Sequence, residues 1–164
     1  MREILIAEYR ISRTPLEPDS LEHQRVEVRL STTETAGEGL FARTDFTAGD
    51  LVSILNGTRC SPSLQDEWSD YKVNFNTGLD LDIPHDMRRT DQYCTTLAHK
   101  ANHSFRPNTR WGRMDHPRFG LVVTLLAVRE ISVGEEITVN YNYSLSVAPA
   151  WYRDCVARQS QCGE

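Results

Sequence analysis

The chain has 164 residues, 39% of them apolar and 25% charged, and a formal net charge of −5 at pH 7. That length holds one domain with one sizeable core, and the composition excludes a disordered chain. No apolar run approaches the roughly 20 residues of a membrane span, and the start, Met1-Arg2-Glu3-Ile4, has no signal-peptide pattern. The expectation is an intracellular protein with no membrane partner. The acidic balance argues against direct nucleic-acid binding and favours a basic protein segment as the charged partner. Cys60, Cys94, Cys155 and Cys162 lack the paired spacing of a zinc site. They are expected to be lone buried thiols, with no structural metal.

Residues 1–24 carry one apolar patch, Ile4-Leu5-Ile6, and then a polar stretch with Pro15 and Pro18. They read either as a strand and a linker or as a frayed end. Residues 25–30 alternate, with Val26, Val28 and Leu30 on one face, the period of a half-buried strand. Residues 40–41 and 51–55 read as further short strands around the Ala48-Gly49-Asp50 turn, and Asn56-Gly57 turns the chain again. Ser61 as N-cap and Pro62 at the first helical position predict one or two turns of helix over 63–69.

Residues 71–75 and 79–83 alternate on either side of Asn76-Thr77-Gly78, a hairpin signal. Over 90–98, Tyr93, Cys94, Leu97 and Ala98 fall at helical spacing behind a possible N-cap at Thr90. Residues 121–128 are apolar except Thr124 and rich in β-branching, which predicts a strand buried on both faces. Residues 136–143 alternate so that Ile137, Val139, Tyr141 and Tyr143 share a face. After Pro149 the spacing of Trp151, Tyr152, Cys155 and Val156 predicts a C-terminal helix. Many short strands with brief helices make a mostly β fold without βαβ repetition.

Three segments carry chemistry. Residues 99–108, His-Lys-Ala-Asn-His-Ser-Phe-Arg-Pro-Asn, crowd imidazole, amide, hydroxyl and cationic groups around one proline. Alone they read as a surface loop whose Asn and Ser satisfy their own backbone. Ala36-Gly37-Glu38-Gly39-Leu40-Phe41 has two glycines that allow close approach of a ligand to the backbone or, equally, a tight turn. Glu135-Glu136-Ile137-Thr138-Val139-Asn140-Tyr141-Asn142-Tyr143 ends in two phenols.

In this order, across 25–153, these segments resemble the SET-domain protein lysine methyltransferases. The chain is most similar to the branch that monomethylates histone H3 and carries MORN repeats ahead of its SET domain. His99 to Phe105, His116-Pro117-Arg118-Phe119-Gly120 and Ala150-Trp151-Tyr152 all read like that branch. The resemblance implies a SET domain of several small β-sheets with short helices and a knot-like C-terminal threading. It divides the chain into an N-terminal extension at 1–24, a SET domain at 25–144 and a C-terminal segment at 145–164.

It also implies an enzyme that uses S-adenosyl-L-methionine. The backbone around Ala36 and Glu38 would meet the methionine part of this cofactor, Lys100 its carboxylate, and Asn102 and His103 its adenosine. Trp151 would either stack on the adenine or simply pack on the core. Tyr141 matches the catalytic tyrosine and Tyr143 lies beside it in the target-lysine channel. Two channel positions depart from the branch, where tyrosines stand: here they are Leu55 and Trp111. Leu55 could admit higher methylation by freeing space, Trp111 could block it by bulk, or the pair could leave a poor catalyst.

The catalytic argument rests on the amine. Free lysine has a pKa of about 10.4, so at neutral pH only about one side chain in two thousand is nucleophilic. An apolar channel disfavours the ammonium by desolvation, a nearby sulfonium disfavours it further, and a phenol can orient the neutral amine.

Asp66, Glu67, Asp70, Asp80, Asp82 and Asp86 concentrate acid mid-chain. They form either a solvated surface or a groove for a basic peptide such as a histone tail. Lys100, Arg106, Arg110, Arg113 and Arg118 make only a weak nucleic-acid patch. The expectation is a nuclear, monomeric lysine methyltransferase of a histone tail. A catalytically weak binding module and a methyltransferase of non-histone proteins are the alternatives.

Overall fold

The computed structural model describes residues 12, 14–60, 71–76 and 78–161. Its elements are α1 (Ser20–Arg25), β1 (Val26–Leu30), β2 (Glu38–Ala42), β3 (Leu51–Leu55), β4 (Thr58–Cys60), β5 (Val73–Asn76), β6 (Leu79–Asp82), β7 (Asn102–His103), β8 (Thr109–His116), β9 (Gly120–Ala127), β10 (Glu136–Val139) and α2 (Ala150–Gln161). Short 3-10 turns occupy His85–Met87 and Ala98–Lys100. The main sheet runs β1-β2-β10-β8-β9-β3, with β7 also paired to β10, and a second sheet runs β4-β6-β5. The fold is therefore mostly β, as the short alternating segments predict.

β10 organises the main sheet. It pairs antiparallel with β2 and parallel with both β7 and β8, so the strand nearest the C-terminus lies between segments from both halves of the chain. Its buried face, Ile137 and Val139, joins Leu40, Val52 and Leu125 in one core, with Leu40, Val52, Leu125 and Ile137 at 0% exposure. Burial of side chains this size contributes about 1.5–3 kcal/mol each.

The hairpin and the C-terminal helix form where expected. The expected turn at Asn56-Gly57 instead carries the chain from β3 in the main sheet to β4 in the second. Gly57 is required there, because a Cβ would lie 2.7 Å from the Asp82 carbonyl oxygen.

Four expectations are corrected. Residues 20–25, expected as the end of a linker or frayed end running into a strand, form α1, with the Asp19 carboxylate accepting from the Leu21 N–H at 3.0 Å as its cap. Leu30, placed on the buried face of β1, is 83% exposed because the strand runs past the core there.

No helix forms over 90–98. Backbone groups that would close it are spent elsewhere, since the Cys94 N–H donates to the Pro15 carbonyl at 2.9 Å and the Thr95 carbonyl accepts from the Asp19 N–H at 3.0 Å, while Tyr93 Oη donates to the Asn56 carbonyl at 3.1 Å and Thr96 Oγ1 accepts from the Asn56 N–H at 3.1 Å. Finally, the strand expected over 136–143 stops at Val139, because the Val139 carbonyl accepts from Ser104 and Asn142 takes a left-handed φ of 53°. Tyr141 and Tyr143 thus leave the sheet.

The helix expected over 63–69 and the patch at 4–6 lie outside the described residues. Cys60, Cys94 and Cys155 are free and half-buried.

Candidate functional site

Tyr141 is held at three points. Its Oη donates to the Ala101 carbonyl at 3.0 Å, its N–H donates to His103 Nδ1 at 3.1 Å, and the carbonyl of the preceding Asn140 accepts from Trp111 Nε1 at 2.9 Å. Each partner comes from a different segment: the 3-10 turn at Ala98–Lys100 leads into Ala101, β7 supplies His103 and β8 supplies Trp111. A phenol clamped in this way loses little freedom when it meets a substrate.

Tyr141 stands in the wall of a cavity of about 530 Å³ that Leu55, His99, Ala101, Trp111 and Tyr143 also line. The structure thus brings all four expected channel and catalytic residues to one place. Leu55 ends β3 at 1% exposure and contributes only apolar surface. Trp111 turns its polar edge to Asn140. Tyr143 sits 5.5 Å from Tyr141, ring to ring and edge-on.

His99, to which sequence reasoning assigned no role, is buried between Tyr71 and Tyr93. Burial, and then the charge of Lys100, push its pKa down to about 3. The Thr96 backbone opposes that shift without reaching hydrogen-bond geometry. An imidazole of such low basicity stays uncharged at neutral pH and is a poor proton acceptor.

The expected cofactor residues form a strip beside this cavity. Lys100, 7% exposed, puts its Nζ 2.6 Å from Glu38 Oε2 and 2.6 Å from the Arg88 carbonyl oxygen. Asn102 Nδ2 donates at 3.0 Å both to the Glu38 carbonyl and to Glu136 Oε1. Glu136 also accepts from Ser31 Oγ at 2.7 Å and from the Thr32 N–H at 2.9 Å. Burial works against this carboxylate, but the hydrogen bonds prevail and hold its pKa below the usual range.

The two glycines have different reasons. Gly37 takes a left-handed φ of 72° in the turn that also positions Ala36, whose N–H donates to Thr33. Gly39 has no room for a Cβ, which would collide with the Glu136 carboxylate and lie 3.2 Å from Asn102 Nδ2. Glu136 was not singled out from sequence. Its signal was a place at the start of the strand expected over 136–143, with no partner implied.

His103 joins strip and cavity. Desolvation lowers its pKa, and with Nδ1 accepting from Tyr141 the neutral ring carries its proton on Nε2. That nitrogen is buried and has no partner among the described residues. It lies among the rings of Phe105, Trp151 and Tyr152, at centroid distances of 4.4, 5.8 and 4.9 Å. Trp151 stays 43% exposed, so it packs on this cluster and also presents ring surface outward. A buried cation, an amide, a buried unsatisfied N–H and an open indole face are the donor set that a zwitterionic, aromatic ligand such as S-adenosylmethionine requires.

Asn108, another role not read from sequence, ties this loop to β10. Its Nδ2 donates to the Glu136 carbonyl at 2.8 Å and its Oδ1 accepts from the Thr138 N–H at 2.8 Å. Among the described residues no group of three or more His, Cys, Asp or Glu side chains is placed to hold a metal.

Comparison with known proteins bears on the fold and the family. The SET domain matches residues 37–142. The Halocynthia roretzi histone-lysine N-methyltransferase SETD7 is 37% identical over 158 residues, covering 87% of this chain and 40% of the relative. Among solved structures, ctPRC2 in an autoinhibited conformation bound to S-adenosylmethionine superposes with a TM-score of 0.57 at 21% identity, covering 84% of this chain and 17% of that one. The chain thus spans about two fifths of the curated relative. With a match over most of its length and a relative above one third identity, it belongs to the SET-domain family.

Proposed function

We propose that the chain is an S-adenosyl-L-methionine-dependent protein-lysine N-methyltransferase. One observation carries this reading: Tyr141 lines the cavity, its hydroxyl bonded to the Ala101 carbonyl in the same wall, while its backbone is bonded to His103, at the end of the Glu38–Lys100–Asn102 strip. Cavity and strip therefore meet at one phenol. S-adenosylmethionine supplies the activated methyl group when bound.

The chain's own residues do the rest. Lys100 would pair with the ligand carboxylate and Asn102 and His103 would hold its adenosine, while Trp151 offers the ring surface for its base. The apolar walls of Leu55, Ala101 and Trp111 exclude water from a lysine side chain and so disfavour its ammonium form. Tyr141 orients the neutral amine, and the Ala101 carbonyl keeps that phenol in place.

The name of the similar protein, a histone-lysine N-methyltransferase, supports a histone tail as substrate and with it nuclear residence, and the motifs at 99–105, 116–120 and 150–152 are the ground for kinship with the MORN-repeat branch and a threaded C-terminal segment. A weakly catalytic binding module is favoured by one feature, the Leu55 and Trp111 walls, which supply no hydroxyl to the amine.

Calorimetric titration with S-adenosylmethionine tests the cofactor half of the proposal. The wild type is expected to bind with one-to-one stoichiometry, and Lys100→Met to bind about tenfold more weakly through loss of one charge-assisted bond. Equal affinities would remove Lys100 from the site.

A further inference from the structure

The wall of the cavity that receives the target lysine also contains two cations, Lys72 and Arg113. Lys72 is half-buried just before β5 of the small sheet, and Arg113 is exposed on β8 of the main sheet, so they reach the same opening from different sheets. Among the described residues neither side chain has a hydrogen bond or an ion pair, although the chain as a whole is acidic and Arg29, Arg89, Arg118 and Arg129 each have a carboxylate partner. The described lining residues include no Asp or Glu. Asp80 and Asp82, which sequence reasoning offered as a groove for a basic tail, lie on β6 and outside that lining.

We infer that the cavity mouth selects lysine substrates carrying a carboxylate side chain beside the target lysine, with Lys72 and Arg113 as its counter-ions. This specificity rests on the methyltransferase reading above, and it points away from a basic histone tail and towards an acidic protein segment as substrate. Two cations converging on one opening leave a site of positive potential that an acidic flank fills and an arginine-rich flank does not. Specificity arises as much from repulsion of the second class as from attraction of the first.

The test uses short synthetic peptides with one central lysine in an alanine and glycine background, in three versions with Glu, Ala or Arg moved through the neighbouring positions. With wild-type protein and S-adenosylmethionine, kcat/KM is expected to rank Glu above Ala above Arg at one or more positions. The Glu-to-Ala ratio should be about fivefold and shrink as salt rises. In Lys72→Ala/Arg113→Ala that ratio should approach one, and in Lys72→Glu/Arg113→Glu the Arg peptide should become the better substrate. Each comparison is a ratio within one variant, so a general loss of activity does not imitate the result.

Fluorescence anisotropy of the same labelled peptides, with S-adenosylhomocysteine present, reads the preference without turnover. No methylation of any peptide would count against the enzyme reading, whereas anisotropy would still rank the flanks. Equal binding of the three peptides, a preference for Arg, or a preference for Glu that survives charge reversal would overturn the inference.

Discussion

At the scale of single residues, Trp111 shows how a substitution can exchange one role for another. Where the resembled branch has a channel tyrosine, this chain has an indole whose N–H donates to the carbonyl just before Tyr141. The polar edge is therefore bonded to the segment that carries Tyr141. Trp111→Phe keeps the ring and removes that bond. We expect methyl transfer to fall roughly tenfold, one to two kcal/mol of lost positioning, with S-adenosylmethionine affinity unchanged in calorimetry. A matching loss of affinity would mean that the indole acts on the fold at large.

That Tyr141, Leu55 and Trp111 come together at one cavity was legible in the sequence, because motif residues stand at fixed offsets from one another. The Glu136–Asn102–Gly39 contact was not, since nothing in a Glu-Glu pair says that one carboxylate turns in under a glycine. The orphaned Nε2 of His103 was likewise invisible, because a missing partner is a property of the folded surroundings.

At the scale of elements, period-two alternation located β1, β5 and β6, short apolar segments beside a turn located β2 and β3, and a β-branched apolar run located β9. β8 escaped because Arg110, Gly112, Arg113 and Asp115 break the pattern. It is a strand by virtue of its partner, with β9 opposite it from Thr109↔Ala127 to His116↔Gly120. Gly112 belongs to that pairing, since a Cβ there would lie 2.7 Å from Thr124 Oγ1.

The join between the 99–108 loop and β10 is the element on which the site most depends. Asn108→Ala would strand the Thr138 N–H and the Glu136 carbonyl at a position 2% exposed. Urea denaturation is expected to show a loss of about 2–4 kcal/mol. A change below about 0.5 kcal/mol would show that the loop is held by something else.

At the scale of the whole molecule, stability and chemistry respond differently to pH. Glu22, fully buried in α1, accepts from Ser53 Oγ at 2.8 Å and from the Ile54 N–H at 2.5 Å, which ties the N-terminal helix to β3. Burial pushes its pKa from 4.5 up to about 8 despite those bonds. Between these values the folded chain keeps a proton that the unfolded chain has lost. The carboxyl's contribution is therefore complete below about 4.5 and is lost as pH rises towards about 8. The slope is at most about 1.4 kcal/mol per pH unit.

Glu136 has the opposite sign, since its lowered pKa makes its contribution present near neutrality and lost as pH falls. Thermal melts should show the midpoint falling from about pH 5 to pH 8, and Glu22→Gln should flatten that fall. An unchanged slope in Glu22→Gln would place the titrating group elsewhere.

The central claim is that cavity and cofactor strip meet at Tyr141, so methyl transfer should stand or fall with one hydroxyl. The most direct measurement is mass spectrometry of histone and non-histone lysine peptides incubated with S-adenosylmethionine and either wild type or Tyr141→Phe. The account predicts mass gains of one or more methyl groups with wild type and at least a hundredfold slower gain with Tyr141→Phe, while calorimetry shows cofactor binding retained. Methylation at equal rates by both proteins, or cofactor binding with no mass gain on any peptide, would contradict it.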